Sequence, residues 1–241
     1  MERPPEALGH GLPPGCPVRL RTLCVRGLEL RYLQVADPNA LADAVDPDAF
    51  AEDERFPYWA EVWASGVALA SFVLARGVGP GLEALELGCG LGLAGVAAAM
   101  NGARVLFTDF EPDALAFARA NHALNLGRPG RTRLVDWRSP PDGLSAPLVL
   151  ASDVLYEARF LDPFVATLAR VLAPGGTAYV AEPGRPIAEG TVERLEHQGF
   201  RRELHLEEVE LSGRTHAVWI HEIRRPPDCP AARAQAPAGP R

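Results

Sequence analysis

Apolar positions along this chain switch between two periods. Over residues 18–35 (VRLRTLCVRGLELRYLQV) they alternate irregularly about Gly27, which predicts a small β-hairpin. Residues 36–57 are rich in Asp and Pro and read as a loop. Residues 62–76 (VWASGVALASFVLAR) carry apolar positions at helical spacing. A regular alternation follows. Residues 84–87 predict a strand, 92–101 a small-residue helix, 104–108 a strand and 112–126 an amphipathic helix. Two more strands are expected at 132–135 and 148–152. A helix over 160–172 is stopped by Pro174-Gly175-Gly176, and a fifth strand over 177–181 leads to a helix over 186–198 that ends at Gly199. The last two strands, 201–208 and 215–223, flank the turn Ser212-Gly213.

Strands that alternate with helices imply right-handed βαβ units. The expected fold class is therefore α/β: a doubly wound, mostly parallel, seven-stranded sheet of Rossmann-like type with a short N-terminal β-hairpin. The closing pair of strands reads as a hairpin, so one edge strand is expected to be antiparallel. In such sheets ligands bind beyond the C-terminal strand ends, near the switch point. The chemistry is to be sought in the loops after each strand.

Composition narrows the classes. Hydrophobic residues make up 47% of the 241 and charged residues 23%, enough for a core without disulfide or metal staples. The net charge of -7 and pI near 5.4 argue against a nucleic-acid partner and leave none expected. All 24 basic residues are Arg, so no catalytic lysine, Schiff base or P-loop lysine is possible. Cys16, Cys24, Cys89 and Cys229 form no CxxC pair, and neither a metal site nor a disulfide framework is expected. The N-terminus has no apolar run, and no stretch reaches the roughly 18 apolar residues of a membrane span. A cytoplasmic protein with no membrane partner, acting as a monomer, is the expectation. Residues 1–17 and 226–241 hold five prolines each and read as disordered tails around a single domain, 18–225, whose first part, 18–57, is an N-terminal extension.

The first strand runs into Glu86-Leu-Gly88-Cys-Gly90-Leu-Gly92-Leu-Ala-Gly95. Glycines here allow a tight turn and close approach of a ligand to the backbone. Asp109 closes the second strand 19 residues after Gly90, where a ribose-binding carboxylate belongs. Gly90-x-Gly92-x-x-Gly95 matches the dinucleotide fingerprint. Two features favour S-adenosylmethionine (SAM) instead. The motif begins with an acid, Glu86, that a pyrophosphate would not tolerate and a cationic methionine moiety would. No substrate domain of dehydrogenase size follows it. After the third strand, Asp136 offers an acceptor for an adenine amino group and Trp137 a cover for the ring. After the fourth, Asp153 and Tyr156 put a carboxylate and a phenol at the same end of the sheet. A capping Asp beside a packing aromatic is the alternative reading of each pair.

The run Asp153-Val-Leu-Tyr156, following Glu86 to Gly95, resembles the class I SAM-dependent methyltransferases of family 16, largely protein lysine methyltransferases. Pro57-Tyr58-Trp59-Ala60-x-x-Trp63, Pro183-Gly184-Arg185-Pro186 and Ala217-Val218-Trp219 are similar to the branch acting on the electron transfer flavoprotein β-subunit. Glu182 departs from that branch, which tends to have Asp, and residues 1–50 match nothing in it. The resemblance covers about residues 56–223. It implies methyl transfer from SAM to an amine nitrogen, a lysine side chain of a protein substrate, with that β-subunit as candidate partner. It implies that Glu86, Gly88, Gly90 and Gly92 cradle the cofactor, Asp109 holds the ribose, and Asp136 and Trp137 border the adenine. Trp63 is implied to lie against the cofactor, Asp153 to orient the amine, Tyr156 to wall its channel, and Pro183 to Arg185 to meet substrate. A small-molecule N-methyltransferase and a non-catalytic SAM-binding interaction protein are the alternative readings, with a nicotinamide oxidoreductase last.

Overall fold

A computed structural model describes residues 11–13, 16–43, 56–77 and 81–228. Residues 1–10, 14–15 and 229–241 of the two expected tails, and residues 44–55 of the expected loop, lie outside the described residues. The chain opens with β1 (Val18–Val25) and β2 (Leu28–Val35), a separate two-stranded antiparallel sheet. Its turn, Arg26-Gly27, has positive φ at both residues (49° and 79°), as the tight turn of a twisted hairpin requires. A short helix, α1 (Pro38–Asp43), occupies the start of the segment expected to be loop, opened by Asp37 Oδ1, which accepts from Asn39 N at 3.1 Å and Ala40 N at 3.2 Å.

The main body follows the predicted alternation: α2 (Ala64–Arg76), β3 (Glu83–Leu87), α3 (Leu93–Met100), β4 (Arg104–Asp109), α4 (Pro112–Leu126), β5 (Arg131–Leu134), β6 (Ala146–Ser152), α5 (Ala158–Val171), β7 (Leu172–Glu182), β8 (Arg201–Leu211) and β9 (Arg214–Arg224). The sheet order is β5-β4-β3-β6-β7-β9-β8. The order reverses between β3 and β6, which are parallel neighbours, so the switch point lies at their C-terminal ends. The sheet is apolar on both faces. Leu85, Leu87, Val149 and Leu150 are essentially unexposed, with α2, α3 and α4 on one side and α5 on the other.

Three expectations are corrected. The antiparallel strand is β9, and it is interior rather than at the edge. The hairpin docks through its more apolar strand: Val218, Ile220 and Ile223 of β9 are unexposed, whereas β8 (RRELHLEEVEL) carries the charges that protect an edge. The helix expected over 186–198 is two 3₁₀ turns, Pro186–Ala188 and Val192–Gln198, broken at Gly190, whose φ is 73°. Val192 and Leu195 are buried three residues apart, the spacing at which a 3₁₀ turn repeats its face. Finally, β7 starts at Leu172, and Pro174-Gly175-Gly176 falls within it at a shift of register against β6, between the Ala146–Leu172 and Leu148–Thr177 partners.

The hairpin is fastened by amides rather than by sheet pairing. On α4, Asn121 accepts from Leu33 N at 2.6 Å and donates to Leu33 O at 3.3 Å and Leu91 O at 2.9 Å. One turn later, Asn125 accepts from Arg31 N at 3.0 Å and donates to Arg31 O at 2.7 Å. Two asparagines four apart share a helix face, and alternate residues of a strand share an edge, so the two amides complete the free side of β2. Asn121 also reaches the loop after β3, coupling the hairpin to the switch point.

Glu86 lies within the core. It is 1% exposed, and its Oε2 accepts from Gly95 N at 3.1 Å. A Cβ on Gly95 would run into Glu86 Oε2 and lie 2.5 Å from Phe107 Cε1, so glycine is what lets α3 sit on the sheet. Burial pushes the Glu86 carboxyl up to about 8, and the nearby Asp109 adds to the rise.

Replacing Asn121 by Ala strands buried backbone groups of Leu33 and Leu91 and should cost about 2–4 kcal/mol in urea unfolding, against about 1 kcal/mol for Asn125→Ala. The raised Glu86 pKa gives a pH signature. Between about pH 4.5 and 8 the unfolded chain is ionised at this position while the folded chain stays protonated. Stability from this group is thus fully present below the unfolded pKa and lost as pH rises towards 8. Glu86→Gln should flatten that part of the fall in urea midpoint, keeping an acceptor for Gly95 N.

Candidate active site

The C-terminal ends of β3, β4 and β6, with the segment following β5, open onto one cavity of about 410 Å³, in the size range of small-molecule sites. Its floor is the glycine loop between β3 and α3. Gly88 has φ 63°, and a Cβ there would lie 2.9 Å from Val154 Cγ1 and 3.1 Å from Trp137 Cζ2. Gly92 has φ 77°, and a Cβ there would lie 2.9 Å from Ala118 Cβ. Both the backbone shape and the space require glycine, which leaves bare peptide facing the cavity.

Asp109 fixes this loop. Its Oδ2 accepts from Gly90 N and its Oδ1 from Glu111 N, both at 2.9 Å. Burial raises its carboxyl above the ordinary value, although those N–H groups and that of Phe110 oppose the rise. Glu111, the N-cap residue of α4, lines the cavity as a second carboxylate. The wall beyond is aromatic: Phe110, Trp137 and Phe160. Trp137 is packed edge-on against Phe164 with centroids 5.2 Å apart. Asp136 lines the cavity too, but its carboxylate accepts from Arg138 Nε at 3.0 Å through both oxygens, and that guanidinium lies 5.0 Å from the centroid of Phe110.

At the other end stand Asp153, Tyr156 and Arg185. Asp153 has φ 56°, an uncommon conformation for a non-glycine residue, held by a hydrogen bond from its N–H to Ala181 O at 2.9 Å. Its nearly buried carboxylate forms an ion pair with Arg185. Arg185 is positioned in turn by Glu182, whose Oε2 accepts from Gly184 N at 2.6 Å and Arg185 N at 3.2 Å. Burial would raise the Glu182 carboxyl. The His221 ring and these two N–H groups outweigh that effect and hold it below the ordinary value. The Tyr156 hydroxyl is pushed above its usual range by burial and by the neighbouring carboxylate of Glu157. Its ring meets Tyr58 edge-on at 5.2 Å, Tyr58 meets Phe56 at 4.8 Å, and Trp63 Nε1 donates to Tyr58 O at 2.9 Å. Phe56, Tyr58, Trp63 and Tyr156 thus form an aromatic rim.

Of the residues selected from sequence, Trp63, Gly88, Gly90, Gly92, Asp109, Asp136, Trp137, Asp153 and Tyr156 line this cavity. Glu86 is not on its wall but supports the loop from beneath. Phe110, Glu111 and Phe160 were missed. The first two directly follow Asp109, so their place after β4 was the available signal. The residues suit SAM better than a dinucleotide. Among the described residues both arginines on the wall are already paired, Arg159 with Glu157 and Arg185 with Asp153, so neither is held ready for a pyrophosphate. Two carboxylates for hydroxyls, an aromatic slot and a bare peptide floor fit a cationic nucleoside.

Comparison with known proteins agrees. A family model described as lysine methyltransferase matches residues 49–194. The electron transfer flavoprotein beta subunit lysine methyltransferase of Xenopus laevis is 35% identical over 135 residues, 54% of this chain and 53% of that protein. The EEF1A lysine methyltransferase 3 of Mus musculus is 32% identical over 60% of this chain and 65% of that protein. The chain thus spans about half the length of the first of these and about two thirds of the second. A T. thermophilus 16S rRNA methyltransferase, solved with AdoMet and guanosine, superposes with a TM-score of 0.60 at 15% identity, over 88% of this chain and 51% of that one. That likeness establishes the class I methyltransferase fold. With the family model covering more than half of its residues, this chain belongs to the lysine methyltransferase family.

Proposed function

We propose that this protein transfers a methyl group from SAM to the side-chain amine of a lysine in a cytoplasmic protein acceptor, with the electron transfer flavoprotein β-subunit as first candidate. One observation carries the proposal: a single cavity joins the glycine loop with its two carboxylates to Asp153, Tyr156 and an aromatic rim. Gly88 to Gly92, Asp109, Glu111, Phe110 and Trp137 would hold the cofactor, which supplies an electrophilic methyl group on a sulfonium. The chain's own task is then to bring in a neutral amine and keep water out. A lysine starts near pKa 10.4. The aromatic rim desolvates it and favours the neutral form. The Arg185 guanidinium acts in the same direction, because it cancels the attraction of Asp153 for an ammonium while leaving carboxylate lone pairs to accept an amine N–H. Tyr156, whose hydroxyl stays protonated, walls the approach.

The test uses tritiated SAM, the purified protein and an extract of its host, with purified β-subunit in parallel. The chain has no lysine, so label on a lysine side chain cannot come from the enzyme itself. A discrete labelled protein is expected, with the methyl group on lysine by mass spectrometry. Asp153→Asn should lower labelling by about 100-fold while keeping the SAM-dependent rise in Tm. Asp109→Ala should abolish that rise, because it removes both a cofactor contact and the anchor of the glycine loop. Absence of any labelled protein together with an intact SAM-dependent Tm rise would overturn the protein-acceptor reading.

A further inference from the structure

A second groove opens beside the cavity. It shares Glu61, Val62, Trp63 and Arg185 with it and continues to the β8–β9 turn, where Leu211, Arg214 and His216 form the far wall. Cross-strand register sets the charge of that wall. Val209 pairs with His216 and Leu211 with Arg214, so these four side chains share one face of the hairpin. Glu208 and Glu210 fall on the opposite face by alternation. Arg214 is exposed and makes no ion pair among the described residues. Arg185, at the junction, is already committed to Asp153. In a protein of net charge -7, the far wall of this groove carries the Arg214 guanidinium, and Glu61 lines the groove on the side shared with the cavity.

Resting on the protein-lysine reading above, we infer that this groove holds the acceptor chain beside the target lysine and selects an acidic side chain there. A segment whose lysine reaches Asp153 past Trp63 and Tyr156 must leave the cavity through a shared opening, and this groove adjoins it. Arg214 then meets the segment with an unpaired guanidinium, whose natural partner is a carboxylate. Specificity arises because a basic residue at that position would face Arg214 instead, a like-charge contact that counts against the wrong partner.

The test uses a set of synthetic peptides with one central lysine and alanine flanks, in which a single Glu or a single Arg is moved through four positions on either side. Methyl transfer and fluorescence-anisotropy binding are both read. Wild type should favour Glu over Ala at one or two adjacent positions by about fivefold, the size of an exposed charge pair. Arg214→Glu should invert that preference, favouring Arg at the same positions, with an unchanged Tm and an unchanged SAM-dependent rise in Tm. If wild type methylates all peptides alike, or if Arg214→Glu leaves the profile unmoved, the inference fails while methyl transfer stands. If wild type binds SAM but neither methylates nor binds any peptide, and labels no host protein, the protein-lysine reading fails and takes the inference with it.

Discussion

The Asp109 carboxylate holds the site together. One oxygen takes the Gly90 N–H and the other the N–H of Glu111 at the start of α4. The glycine loop, the end of β4 and the first turn of α4 are therefore one rigid unit around a single buried acid. Such an acid is costly to bury and has to be surrounded by donors. The backbone meets that need because Gly88, Gly90 and Gly92 all adopt positive φ, which turns the loop around the carboxylate. Phe107 and Glu86 close the space under Gly95, so the loop cannot relax downwards. The bare peptide surface that faces the cavity is the outcome of this packing.

At the other end of the cavity the electrostatics are arranged in series. Glu182 holds the backbone of Gly184 and Arg185, Arg185 holds Asp153, and Asp153 occupies a strained backbone conformation at the end of β6. Each acid is satisfied by the next element, and the Arg185 guanidinium balances the charge of Asp153. That suits the neutral amine of the proposed reaction. It differs from a site built to capture an ammonium, in which an unpaired carboxylate would raise the lysine pKa and quench its nucleophilicity.

The rims of the site come from the parts of the chain outside the central alternation. The N-terminal hairpin is held by Asn121 and Asn125, and through the contact of Asn121 with Leu91 it braces the glycine loop from the far side. The β8–β9 hairpin enters the sheet through its apolar strand, and its turn forms one wall of the adjoining groove. Between β7 and β8 the 3₁₀ turns keep Arg185 close to the ends of the strands.

The core pattern was legible because it rests on local rules. Apolar periodicity located all seven strands of the main sheet and all but the final cover of its faces. The glycine spacing with Asp109, and the placement of Asp153 and Tyr156 after β6, identified the ends of the strands that matter. What the sequence could not disclose was pairing at a distance. The spacing of Glu86 suggested a ligand contact, but only tertiary packing puts it beneath the loop against Gly95. Asp153 reads as a free carboxylate until β7 brings Arg185 onto it, 32 residues along the chain. Asn121 and Asn125 look like ordinary polar positions on an amphipathic helix until β2, some 90 residues earlier, is laid against them. The helix expected over 186–198 failed for a related reason: Gly190 breaks the turn locally, while burial of Val192 and Leu195 against the sheet decides how the chain continues. By itself the sequence determined the elements, their order and the end of the sheet where chemistry occurs, because propensity and periodicity act over a few residues. Tertiary structure alone decided which charges are paired and which remain available to a ligand, because partners far apart in sequence meet only after the sheet is assembled.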